Sequence, residues 1–279
     1  MRSIAIINQK GGVGKTTTAV NLAAALSSYG QRVWLIDLDP QAHASLHLGL
    51  MPDDDQASTY EALTDRVPLA QIRHQMGENL WVSPAHIDLA AAELELAGEV
   101  GREMILRDLM DQDPAEFDFI ILDCPPSLGV LTLNALTACQ EVFLPLQPHF
   151  LALHGLSKLL QTVEVVAKRL NRQLLLSGIV FCMVESGTRL ANEVIRDVDQ
   201  FLEAAREQGS LWSQAQMFET RIRKNVRLAE SPSYGESIFE YAPNSNGAID
   251  YLALAAEVMA MEESKSARIS ESVFKTAIK

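Results

Sequence analysis

The chain has 279 residues, 48% of them hydrophobic, and a formal net charge of −13 at pH 7. That length and apolar content suit one large domain with its own core, and the acidic balance excludes a uniformly basic nucleic-acid binder while leaving room for a local basic patch, since charge acts on phosphate within about a Debye length, ~10 Å. No apolar run approaches the ~20 residues that span a bilayer, the first residues lead into a core strand without a signal-peptide pattern, and Cys124, Cys139 and Cys182 lack metal spacing, which points to buried thiols in a reducing, cytoplasmic setting.

Short apolar runs alternate with longer amphipathic segments along the chain. This is the rhythm of an α/β fold, a doubly wound, mostly parallel sheet flanked by helices. Strands are expected at Ile4 to Asn8, Arg32 to Asp37, Asn79 to Ser83, Phe117 to Leu122, Glu141 to Leu146 and Leu175 to Val184. Helices are expected at Lys15 to Ser28, Ile87 to Ala97, Met104 to Met110, Thr132 to Ala138, Gly155 to Leu170, Leu190 to Glu207 and Gly247 to Met261. Asp53-Asp54-Asp55 reads as a solvated charge run, and the core pattern stops after Met261, so 1–261 reads as one domain and 262–279 as a frayed tail.

The first strand feeds Lys10-Gly11-Gly12-Val13-Gly14-Lys15-Thr16-Thr17, which reads as a phosphate-binding loop. Glycines let the backbone curl so that successive N–H groups point at phosphate oxygens, and the following helix adds the positive end of its dipole. Lys15 is placed to reach the β- and γ-phosphates of ATP, and the Thr16 hydroxyl to take a position on Mg²⁺. Asp37 and Asp39 close the second strand at its carboxyl end, where ligands of open α/β sheets sit. They serve either the phosphate site or a helix N-cap, which Asp also favours. Asp123 ends the apolar run Phe119-Ile120-Ile121-Leu122 and reads as an acid that holds Mg²⁺ through water. Pro125-Pro126-Ser127 follow as a stiff loop.

The opening of the phosphate loop resembles the deviant Walker A motif of the ParA/MinD ATPases: Gln9 stands where the ordinary motif has glycine, and Lys10 follows it. In that family two subunits sandwich two ATP molecules, so the resemblance implies a homodimer in which Lys10 reaches the partner's phosphates. The alternative for Lys10 is a solvated loop lysine. Leu38-Asp39-Pro40-Gln41 continues the resemblance, which implies that Asp39 orients the attacking water and that Asp37 lies near the Mg²⁺ shell. Ile222 to Gly235 is similar to a segment of ParA and Soj-type partition proteins whose asparagine contacts adenine, so Asn225 inherits a nucleotide role; Arg223 stands where that segment has proline. About ten extra residues around Gly209 to Gln216 precede it.

The resemblance spans Ser3 to Met261 and implies an ATPase with weak intrinsic turnover that grips DNA without sequence preference when ATP-bound and is released through a ParB-like partner. Arg189, Arg223, Lys224 and Arg227 are the candidate DNA contacts, against the alternative of a solvated basic face. Two other readings within the family stay open. A MinD-like membrane-surface ATPase needs a basic amphipathic end, for which Ile269, Val273, Phe274, Ile278, Lys275 and Lys279 make a poor anchor beside Glu271. A cargo that is a protein assembly instead of DNA needs the same ATPase core. An iron–sulfur relative fails on cysteine ligands.

Overall fold

The computed structural model describes residues 1–51, 53, 55–149, 152–185, 188–207 and 212–277, with the side chains of 152–155, 157 and 262–277 excepted. In chain order the elements are β1 (Arg2–Ile6), α1 (Lys15–Ser28), β2 (Val33–Asp37), α2 (His43–His47), α3 (Thr59–Thr64), β3 (His74–Gln75), β4 (Leu80–Ser83), α4 (Leu89–Glu95), α5 (Ile105–Gln112) and β5 (Phe119–Asp123). Then follow α6 (Val130–Ala138), β6 (Glu141–Leu146), α7 (Ala152–Arg169), β7 (Leu175–Val184), α8 (Arg189–Glu207), β8 (Gln216–Arg223), α9 (Val226–Glu230), α10 (Ile238–Tyr241) and α11 (Asn246–Ala277).

The strands form one eight-stranded sheet in the order β3-β4-β2-β5-β1-β6-β7-β8, parallel except for β3. From β1 the chain winds first toward β3, returns to insert β5 beside β1, then continues outward through β6, β7 and β8. The expected doubly wound α/β architecture is therefore present, and its turning point lies at β1 and β5, where such sheets bind ligands. Alternation along β1 separates the two cores: Ile4 and Ile6 face α1 and α11, while Ala5 and Ile7 face the layer holding α5, α6 and α7.

Several elements depart from the expected bounds. β1 starts at Arg2, two residues early, because the arginine is buried: its Nε donates to Glu141 Oε1 at 2.7 Å, its guanidinium reaches Val258 O, and it lies over the Phe119 ring. β8 was not expected; its sequence alternates charged and apolar residues, as suits an outer strand with one face solvated. The backbone of α11 continues past Met261 to Ala277, and residues 278–279 lie outside those described, as do Asp54, Ser186, Gly187 and 208–211. All three cysteines are free and buried. Burial pushes the Cys139 and Cys182 thiols up to about 12, and that of Cys124 well above its usual range.

Candidate active site

The carboxyl ends of β1, β5 and β2 lie side by side, and their register fixes the chemistry. Ile6 pairs with Asp123, and Asp123 with Asp37. The turn after β1 carries Gly12 and Gly14 at φ of +73° and +93°, a left-handed backbone that costs other residues ~1 kcal/mol or more. Asn8 anchors its start: Nδ2 donates to Pro145 O at 2.8 Å, and Oδ1 accepts from Lys10 N at 3.0 Å. Gly14 precedes α1 without any side-chain cap, so the helix's positive end is left facing the loop. Lys15 is buried, Thr16 and Thr17 are half-buried, and Lys10, Gly11 and Gly12 are exposed, with Val13 packed inside.

Beneath this turn stands Asp123, with no exposed surface and, among the described residues, no partner within hydrogen-bond geometry for either carboxylate oxygen, the Thr16 hydroxyl lying close enough to favour its charged form. A buried, unpartnered carboxyl is rare because desolvation without compensation costs ~1–3 kcal/mol even when neutral. Burial holds its pKa well above the usual range, and the charge of Asp37 raises it further. Thr16 and Lys15 beside it favour the ionised form. Two orphaned acid oxygens next to a threonine hydroxyl are a hard-oxygen donor set that fits Mg²⁺ and its waters.

Asp37 is differently placed. Its Oδ1 accepts from Asp39 N at 3.1 Å, and its Oδ2 accepts from Ser45 N at 2.9 Å and Ser45 Oγ at 2.8 Å. These bonds realise the helix-capping alternative, with Asp37 holding α2 from outside, although a carboxylate has room for one further donor. Burial outweighs them and lifts its pKa to about 6. Asp39 Oδ1 accepts from Gln41 N at 3.0 Å, and Oδ2 makes no hydrogen bond among the described residues. Ser45 has no local sequence signal, since it lies eight residues from the acid it holds.

His47 ends α2 in the interior, with Nε2 3.2 Å from Ser231 Oγ. Burial pushes its pKa down to about 4. The unfolded chain, at ~6.5, therefore binds a proton between pH 6.5 and 4 that the folded chain refuses, and stability falls by up to ~3 kcal/mol as pH drops through that window. Asp37 opposes this: with its folded pKa raised from 3.8 to about 6, it favours the folded state as pH falls through the same range. His47→Gln isolates the histidine. In urea unfolding at pH 7 and pH 4.5, the parent should lose ~2–3 kcal/mol more than the variant, and equal losses would contradict a neutral buried imidazole.

The basic segment is more neutralised than its sequence suggests. Arg223 grips Asp250 with Nε at 3.0 Å and Nη2 at 2.6 Å from Oδ1, and its backbone N donates to Oδ2 at 2.9 Å. Asp250 is nearly buried, so Arg223 is held against it while 40% of its own side chain stays exposed. Lys224 pairs with Glu185 at 2.6 Å and Arg227 with Glu230 at 2.8 Å, both at the surface. Arg189 opens α8, and it and Arg221 are exposed without an ion pair among the described residues. Asn225 caps α9, its Oδ1 accepting from Arg227 N at 2.9 Å, which leaves its amide NH₂ without a partner among the described residues.

A family model described as an AAA domain matches residues 1–176. The chain is 44% identical over 268 residues to the chromosome partitioning protein ParA of Myxococcus xanthus, covering 96% of this chain and 91% of that one. It is 45% identical over 258 residues to the sporulation initiation inhibitor protein Soj of Bacillus subtilis, covering 92% and 98%. Among solved structures, cobyrinic acid a,c-diamide synthase from Mycobacterium smegmatis with bound ADP and magnesium superposes with a TM-score of 0.80 at 35% identity, covering 95% of this chain and 96% of that one.

Proposed function

This chain belongs to the ParA/Soj family of chromosome-partitioning ATPases, and from that premise we propose that it is a DNA-gripping ATPase whose ATP-bound homodimer is released on hydrolysis. The observation that carries the reading is the orphaned Asp123 carboxyl beneath a glycine turn and an uncapped helix start. Main-chain N–H groups of Gly11 to Thr17 and the Lys15 ammonium bind the phosphates. Thr16 and, through water, Asp123 would hold Mg²⁺, with Asp37 fixing the loop beside it. The cation would supply neutralisation of phosphate charge. Asp39 accepts a hydrogen bond from the attacking water, and Lys10, exposed at the rim, reaches across to the partner subunit's phosphates. Asn225 offers its free amide to the base.

Population shift links these parts to a cycle. Contacts from Lys10 to a γ-phosphate exist only across the dimer, so ATP favours the pair and hydrolysis separates it. A ParB-like partner would speed that step, and intrinsic turnover is slow. The reading takes 1–261 as one ATPase domain and 262–279 as a tail, and locates the protein in the cytoplasm, on the nucleoid when ATP-bound. Among the described residues no helix is long and apolar enough to cross a membrane. The side chains of a MinD-like membrane anchor at 269–279 lie outside those described.

Charge magnitudes sort the DNA contacts. Exposed ion pairs such as Lys224–Glu185 and Arg227–Glu230 are weak and screened by solvent, so phosphate can replace the carboxylate. Arg189 has no ion pair to give up among the described residues. Unrelated duplex DNA should therefore be retarded with ATP and not with ADP or without nucleotide, and Arg189→Ala should weaken that binding ~5–10-fold and flatten its salt dependence by about one counterion. No ATP-dependent retardation at low salt would overturn the DNA reading.

A further inference from the structure

One element of the site is tied down at both ends. α2 gives Ser45 N and Oγ to Asp37, and Ser45 Oγ in turn accepts from Ala85 N at 3.1 Å, which wedges that end between the acid and the exit of β4. At the other end His47 meets Ser231, and both side chains are shut away from water. Buried as they are, neither can turn to bulk solvent if the bond breaks. Just beyond, Gly49 and Gly235 touch backbone to backbone, both left-handed at φ of +77° and +69°. A Cβ on Gly235 would stand 3.0 Å from Gly49 Cα.

α2 has five residues, far below the ~12–15 at which a helix is marginal by itself, so its position is set by these end contacts. It is entered through Ala42, a non-glycine residue at φ +51° that holds its strained backbone because its surroundings impose it. On one side of this bar lie Asp37 and Asp39. On the other, Ser231 to Gly235 follow directly from α9, whose cap is Asn225.

We propose that His47 and Ser231 are positioning residues for hydrolysis: their bond seats α2, and with it the Asp37–Asp39 loop, against the segment headed by Asn225. What that segment binds is thereby felt at the acid that orients water. The inference rests on the ATPase reading of the two acids, and the test separates them. Amide hydrogen exchange is measured on the full, nucleotide-free chain for His47→Leu, Ser231→Ala and His47→Gln. The first two should speed exchange of the peptide covering 37–46 about tenfold or more while β5 stays protected, and glutamine, which offers Ser231 a partner, should return it to within about threefold of the parent. In ATP hydrolysis the first two should lower kcat about tenfold with KM within about twofold, and their double variant should be no worse than the poorer single, as one shared bond requires.

Exchange at 37–46 unchanged in both variants, or accelerated equally throughout the chain, overturns the proposal. So does a loss of kcat that adds between them. A parent chain that does not hydrolyse ATP sinks the ATPase reading alone, and the exchange pattern still decides whether this bond holds the loop.

Discussion

Asp123→Asn should melt higher than the parent chain in the absence of nucleotide, and yet hydrolyse ATP about 100-fold more slowly or worse. The carboxyl is fully buried with neither oxygen satisfied, so the parent carries an uncompensated acid in its core. Asparagine keeps the shape and removes the charge, and its NH₂ can donate toward Asp37 or Asp39. A gain of ~1–3 kcal/mol corresponds to roughly 2–5 °C for a chain of this size. The pH dependence has a definite sign. A folded pKa raised above 3.8 means that the native state keeps a proton the unfolded chain has released, so the parent loses stability as pH rises through this range. Calorimetry should show the variant's advantage widening from pH 5 to pH 8. A variant that melts lower at pH 8 would mean that the acid is already satisfied.

Asp39→Ala should bind ATP with nearly parental affinity, lose turnover ~100–1,000-fold, and accumulate as an ATP-dependent species of twice the monomer mass in light scattering. The alanine also removes the hydrogen bond to Gln41 N that shapes the loop. Asp39→Asn keeps that bond and loses only the basic oxygen. If the residue works by accepting a hydrogen bond from water, both variants stall at the dimer; if it only shapes the loop, asparagine restores turnover. A monomer of Asp39→Ala in saturating ATP would count against the paired-subunit cycle.

How much of this was readable beforehand follows the range of each interaction. The phosphate turn was legible because its glycines, lysine and threonine are contiguous, and β5 because four apolar residues run into Asp123. The helix over Thr59–Thr64 has a start signal in the Ser58 and Glu61 pair that cap it reciprocally, but six residues are too few for a helical period to stand out in the sequence. β8 was hidden by its alternation of charged and apolar residues. Arg223 looked like a free cation because Asp250 lies 27 positions away, and local sequence carries no trace of such a pairing. Asp37 was legible as an acid at the carboxyl end of β2, whereas its hold on Ser45, eight residues on, was not. Contacts between distant residues, not propensity, decided these cases.

The three interior thiols have a practical consequence. Reagents such as maleimides attack thiolate, and each native sulfur is both sequestered and held in its protonated form at neutral pH. A cysteine introduced at Val100, which is fully exposed, would then be the sole point of fluorophore or spin-label attachment, with no need to strip out the originals. The wild-type scaffold is thus already a quiet background for distance spectroscopy between two such labelled chains.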